Sequence, residues 1–117
     1  RTVSKAESLS EQFNSDNLKV YGFDNIPDQP FDLIINATSA SLSGNVPPIS
    51  TQLIHANTVC YDMVYGKNLT PFLKWAKQHG SLKIIDGLGM LVGQAAESFR
   101  IWRDVQPEVT SVLQKLR

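Results

Sequence analysis

The run Phe31-Asp32-Leu33-Ile34-Ile35-Asn36 constrains this chain most. It is a compact apolar stretch with β-branched residues, and it stops abruptly at Asn36-Ala37-Thr38-Ser39-Ala40-Ser41, where the side chains are small or polar. Such a run suits a strand buried on both faces, as strands of parallel sheets are. Similar short runs recur at Leu18–Tyr21, Thr58–Asp62 and Leu82–Ile85. Helix-length segments separate them. The first is predicted over roughly 4–14, with Ser4 and Glu7 placed as a capping box. The next has Thr70 as N-cap, Pro71 in the first turn and Gly80 as a left-handed stop. A long helix is expected from about Leu91 to Trp102, and a last one is opened by Pro107. Strands alternating with helices predict an α/β fold with a mostly parallel sheet and flanking helices.

Composition removes several function classes. The chain has 117 residues, 11 Lys+Arg against 11 Asp+Glu, and no basic cluster, so no nucleic-acid partner is expected. With 42% apolar and 19% charged residues, a folded core is expected rather than disorder. The single cysteine, Cys60, excludes an internal disulfide and a Cys-based zinc site, and no metal is expected. No apolar run reaches the roughly 18 residues of a membrane span. The chain opens on Arg1-Thr2 without Met or an apolar leader, and we read it as a piece of a longer protein.

In parallel α/β sheets ligands bind outside the carboxyl ends of the strands. Three segments there carry candidate chemistry. Arg1-Thr2-Val3-Ser4-Lys5 sets two cations and two hydroxyls at a helix start, where orphan amides favour anions. This suits a phosphate, but a solvated charged end is the more common use of such a segment. Asn36–Ser41 offers small donors and close backbone approach, or an ordinary capped turn. Asp86-Gly87-Leu88-Gly89-Met90-Leu91-Val92-Gly93-Gln94 places three glycines around a helix start, which suits a backbone held near a ligand or tight helix–strand packing. Asp62 and Asp86 are read as structural residues at strand ends, and Cys60 as a small core residue. His55, Asn57 and His79 carry no assigned role.

Taken as strings, Arg1-Thr-Val-Ser-Lys-Ala, Asp32-Leu-Ile-Ile-Asn-Ala-Thr-Ser, Tyr61-Asp-Met-Val-Tyr-Gly, Thr70-Pro-Phe-Leu and Asp86-Gly-Leu-Gly-Met-Leu-Val-Gly-Gln-Ala-Ala resemble the C-terminal half of the shikimate dehydrogenase family, in the family's order. The resemblance implies a partial Rossmann-like domain over 1–117. Helices at about 91–117 would pack toward an N-terminal substrate domain that this chain does not include. It implies a cytoplasmic, NADP-dependent oxidoreductase that reduces 3-dehydroshikimate to shikimate on the way to chorismate and the aromatic amino acids. It also carries over residue roles. Arg1, Thr2 and Lys5 would meet the adenosine 2′-phosphate. Asn36, Thr38 and Ser39 would lie along the cofactor, Met63 and Gly87 would flank the nicotinamide, and Tyr65 and Gln94 would touch the shikimate ring. The family's catalytic Lys and Asp belong to the N-terminal domain, so no catalytic residue is expected here and the isolated chain should be inactive. Two alternatives are a non-catalytic nucleotide-binding fragment and a quinate/shikimate dehydrogenase with relaxed cofactor use.

Overall fold

The computed structural model describes residues 2–117; Arg1 lies outside the described residues. Three strands, β1 (Leu33–Asn36), β2 (Val59–Asp62) and β3 (Lys83–Ile85), form a parallel sheet in the order β1-β2-β3. Four helices accompany them: α1 (Val3–Phe13), α2 (Pro71–Gln78), α3 (Leu88–Arg103) and α4 (Val109–Leu116). The β2–β3 crossover is α2. The β1–β2 connection carries only 3₁₀ turns, at Ala40–Ser43 and Thr51–Leu53.

Register explains where the core lies. Ile34, Cys60 and Ile84 stand side by side across the three strands, so their side chains share one face. On that face they meet Phe72, Leu73 and Ala76 of α2, with Ile54, Val46, Ile49 and Trp75 closing the cluster. Burial pushes the Cys60 thiol above its usual pKa, partly opposed by a hydrogen bond with Ser81, as expected for an inert core thiol. The opposite face differs from the sequence expectation of a strand buried on both sides. Leu33 and Ile35 remain 52% and 56% exposed, because no described segment covers them.

The helix ends follow local chemistry. Thr70 caps α2 by accepting from the Leu73 amide at 3.3 Å, and Gly80 takes φ +102° just beyond it, both as the sequence predicts. His79 ends the same helix, with Nδ1 2.7 Å from the Trp75 carbonyl. Three expectations are corrected. Residues 18–21 form no strand, since no described segment runs beside them to complete a ladder. α3 begins at Leu88 rather than about Leu91, because the Asp86 carboxylate accepts from the Leu88 amide at 3.3 Å and starts the helix within the glycine segment. The Ser4–Glu7 capping box does not form. Thr2 is the N-cap of α1, without a side-chain cap bond, which puts Ser4 inside the helix.

The start of α4 is capped by Glu108, which accepts from the Thr110 and Ser111 amides at 2.7 and 2.6 Å. Hydrogen bonding by Ser111, through its hydroxyl and its amide, and by the Thr110 amide lowers the Glu108 carboxyl from 4.5 to about 2. A depressed carboxylate stabilises the fold above its unfolded pKa, and that contribution is lost as pH falls through the folded one. The cap should therefore weaken between pH 4.5 and about 2. NMR titration of the Thr110 and Ser111 amide shifts should show a midpoint near the lower value, and Glu108→Gln should abolish it. A midpoint at the ordinary glutamate value would show that the cap is not formed.

Candidate functional site at the carboxyl ends of the strands

All three parallel strands end on the same edge of the sheet, so Asn36, Asp62 and the Asp86-Gly87 turn come together there. Backbone bonds tie the edge. The Met63 amide donates to the Asn36 carbonyl at 3.0 Å, and the Gly87 amide donates to the Val64 carbonyl at 3.2 Å. Asn36 is buried, and its carboxamide is fully used within the chain. Nδ2 donates to Asp62 Oδ1 at 3.1 Å and to Ser41 Oγ at 3.4 Å. Oδ1 accepts from the Thr38 amide at 3.1 Å and the Thr38 hydroxyl at 2.7 Å. Asn36 therefore shapes the loop, while Thr38 and Ser39 lie exposed on its outer surface.

Met63 is 39% exposed, and its backbone lies against Gly87. A Cβ on Gly87 would stand 2.0 Å from the Met63 carbonyl oxygen, so this glycine is required by close backbone approach within the chain. Gly89 and Gly93 differ: a Cβ on either would meet nothing within 4 Å. Tyr65 is exposed and opens onto a groove of about 1000 Å³ between the 65–69 segment, β3 and the end of α4. Gln94 is not among the residues lining that groove. It is exposed on α3, turned away from the Leu88, Val92 and Ala96 stripe that the helix buries. The structure thus joins Asn36, Thr38, Met63 and Gly87 in one bonded rim and leaves Tyr65 and Gln94 facing outward.

Thr2 and Lys5 stand at the start of α1, both exposed. That helix has no acid in its first turn and no side-chain cap. The Lys5 amide donates to the Thr2 carbonyl at 3.2 Å, and the exposed Lys5 ammonium at this helix start suits an anion. Arg1, the third member of that predicted group, is outside the described residues.

The sequence places Ser41 in the candidate 36–41 segment, Asp62 at a structural strand end and Thr70 at a helix cap, without showing that the three are joined. Ser41 and Thr70 both donate to Asp62 Oδ2, at 2.7 and 2.5 Å. The visible signal was a carboxylate closing an apolar strand; its meaning depended on the register that sets Asp62 opposite Asn36. His55 and Asn57 are used locally, the Asn57 amide donating to His55 Nδ1 at 3.0 Å. Among the described residues no group of His, Cys, Asp and Glu could hold a metal, and no helix is long and apolar enough to cross a membrane.

A parallel sheet with helical crossover and polar turns on its carboxyl edge defines a Rossmann-like α/β unit. Comparison with known proteins is specific. Residues 87–117 match the family model described as the shikimate 5′-dehydrogenase C-terminal domain. A shikimate dehydrogenase (NADP(+)) of Colwellia psychrerythraea is 63% identical over 117 residues, all of this chain and 42% of that protein. Among solved structures, an Ael1 enzyme from Pseudomonas putida superposes with a TM-score of 0.90 at 38% identity, covering 99% of this chain and 43% of that one. A shikimate dehydrogenase in complex with NADP+ gives 0.82 at 34% identity, covering 98% and 42%. One from Thermus thermophilus, in complex with NADP(H) and shikimate, gives 0.77 at 29% identity, covering 97% and 42%. The chain is similar along its whole length to the C-terminal part of shikimate dehydrogenases, and residues 87–117 match that family's C-terminal domain. It spans about two-fifths of the length of the curated relatives it matches, 42% in the case quoted first.

Proposed function

We propose that this chain forms the cofactor side of an NADP-dependent shikimate dehydrogenase, which interconverts 3-dehydroshikimate and shikimate in the cytoplasm. The observation that carries this reading is the bonded rim: segments 36–41, 63–66 and 86–87, which resemble the family's functional strings, meet on one sheet edge through the Asn36, Met63, Val64 and Gly87 bonds. When bound, NADP would supply or accept the hydride. This chain's residues would bind and orient: Arg1, Thr2 and Lys5 the adenosine 2′-phosphate, Thr38 and Ser39 the body of the cofactor, Met63 and Gly87 its nicotinamide end. Asn36 would act by shaping the loop that presents Thr38. Tyr65 and Gln94 would donate to the hydroxyls or carboxylate of the substrate.

The proton donor and acceptor would be a Lys and an Asp from an N-terminal substrate domain. Residues 91–117 would face that domain, and the exposure of Phe99, Ile101 and Trp102, at 46%, 65% and 78%, supports a covering partner there. The exposed edge and open face of β1 similarly suit further strands of a doubly wound sheet.

The test is NADPH oxidation by the purified full-length protein with 3-dehydroshikimate, compared with NADH and with 3-dehydroquinate. Turnover with NADPH and 3-dehydroshikimate supports the reading. Equal turnover with 3-dehydroquinate or NADH would favour a relaxed quinate/shikimate enzyme. Cofactor binding without turnover would favour a non-catalytic nucleotide-binding protein.

Gln94 gives a narrower prediction. In the full-length enzyme, Gln94→Ala should raise KM for shikimate and lower kcat/KM by about two- to tenfold, the worth of one hydrogen bond to a neutral group. KM for NADP should stay nearly unchanged. If both shikimate constants match wild type, Gln94 is a solvent-facing helix residue and not a substrate ligand.

A further inference from the structure

Asp62 is fully buried, and both its oxygens are saturated by donors from four separate segments. Oδ1 accepts from Asn36 Nδ2 at the end of β1 and from the Val64 amide, each at 3.1 Å. Oδ2 accepts from Ser41, in the turn after β1, at 2.7 Å, and from Thr70, the N-cap of α2, at 2.5 Å. Among the described residues no cation pairs with it. Burying a carboxylate without a cation is costly unless every lone pair is engaged. Packing alone would be served as well by an apolar side chain at this position.

The geometry that Asp62 imposes runs in two directions. Through Asn36 it reaches Thr38, whose amide and hydroxyl hang on Asn36 Oδ1 and whose Oγ1 accepts from the Ala40 amide at 3.2 Å. Through the Val64 amide it fixes the residue just before Tyr65, and the Val64 carbonyl in turn holds the Gly87 amide. One carboxylate therefore sets both the loop bearing Thr38 and Ser39 and the segment bearing Tyr65.

We propose that Asp62 is a positioning residue that locks the cofactor-side loop to the substrate-side segment, so that both ligands depend on one buried carboxylate. The proposal rests on the dehydrogenase reading above. It assigns Asp62 no proton transfer and no contact with either ligand.

The test is Asp62→Asn in the full-length protein. This substitution keeps the shape and turns one acceptor oxygen into an NH₂ group facing hydroxyls that now donate. Binding of NADPH by fluorescence titration and of shikimate by calorimetry is measured well below the melting temperature, together with kcat. Both dissociation constants should rise and kcat/KM should fall roughly 10- to 100-fold, the scale of a small misplacement of binding groups. If stability drops but both dissociation constants stay within twofold, Asp62 is only a fold residue and the proposal fails. A loss confined to one ligand also overturns it. Should Asp62→Asn not fold, Ser41→Ala removes a single donor at the rim. It should still raise the NADPH dissociation constant at least threefold, and no change there overturns the proposal. A wild-type protein that binds neither ligand would instead sink the dehydrogenase reading, which keeps the two failures distinct.

Discussion

Gly87→Ala is expected to destabilise the fold by about 3 kcal/mol or more, at or beyond the upper end of the usual cost of overpacking. Gly87 has φ −75° and ψ 0°, a conformation alanine adopts freely, so the cost comes from space alone. The added methyl carbon would stand 2.0 Å from the Met63 carbonyl oxygen and 2.6 Å from its carbon. Both are backbone atoms and cannot turn away as a flexible side chain would. Relief requires moving the end of β2 away from the start of α3, which breaks the Gly87–Val64 bond across the rim. Gly89 and Gly93 provide the contrast on the same helix. With nothing in this chain within 4 Å of an added methyl at either position, Gly89→Ala or Gly93→Ala should cost far less than Gly87→Ala. Urea unfolding of the full-length protein measures all three, provided the m-value is unchanged. A Gly87→Ala midpoint equal to wild type would mean that the close approach is not present.

That contrast shows what a sequence can and cannot disclose. Three glycines near a helix start are visible in the string, and close approach is a sound expectation for such a cluster. Which glycine is crowded, and by what, depends on the turn after β2 meeting the turn after β3, and no local pattern records that. The elements were readable where local chemistry decides them. Thr70-Pro71 starts α2, Gly80 stops it, and β1, β2 and β3 each coincide with an apolar run. Leu18–Tyr21 has strand composition but no ladder, because strand formation depends on a neighbour that composition does not supply. Ser4 and Glu7 have capping-box spacing, yet α1 starts at Val3, before Ser4 can act as a cap. Asn36 and Asp62 were each visible as polar strand ends. Their pairing across β1 and β2 makes them a network, and it also makes Asn36 an internal brace with no hydrogen-bonding group to spare.

In the full-length enzyme, Arg1→Ala should weaken NADP binding by roughly 10- to 150-fold, the worth of a hydrogen bond to a charged group, and weaken NAD binding far less. The reason lies in what the start of α1 offers. The Lys5 amide is taken by the Thr2 carbonyl at 3.2 Å, but Thr2 provides no side-chain cap and no acidic residue occupies the first turn. A helix start normally favours acids, so Lys5 there opposes the dipole unless an anion offsets it. The sequence has no acid between Arg1 and Ala6, and Glu7 lies one turn further on. An acid at this point would instead select the free ribose hydroxyl of NAD. Lys5→Ala should act in the same direction as Arg1→Ala but less strongly, since an ammonium meets a phosphate as a point charge without a guanidinium's paired donors. Dissociation constants for NADP and NAD, measured at fixed ionic strength, give the ratio directly. If both cofactors lose affinity equally, the two cations support the adenine or the helix and leave the 2′-phosphate to other groups.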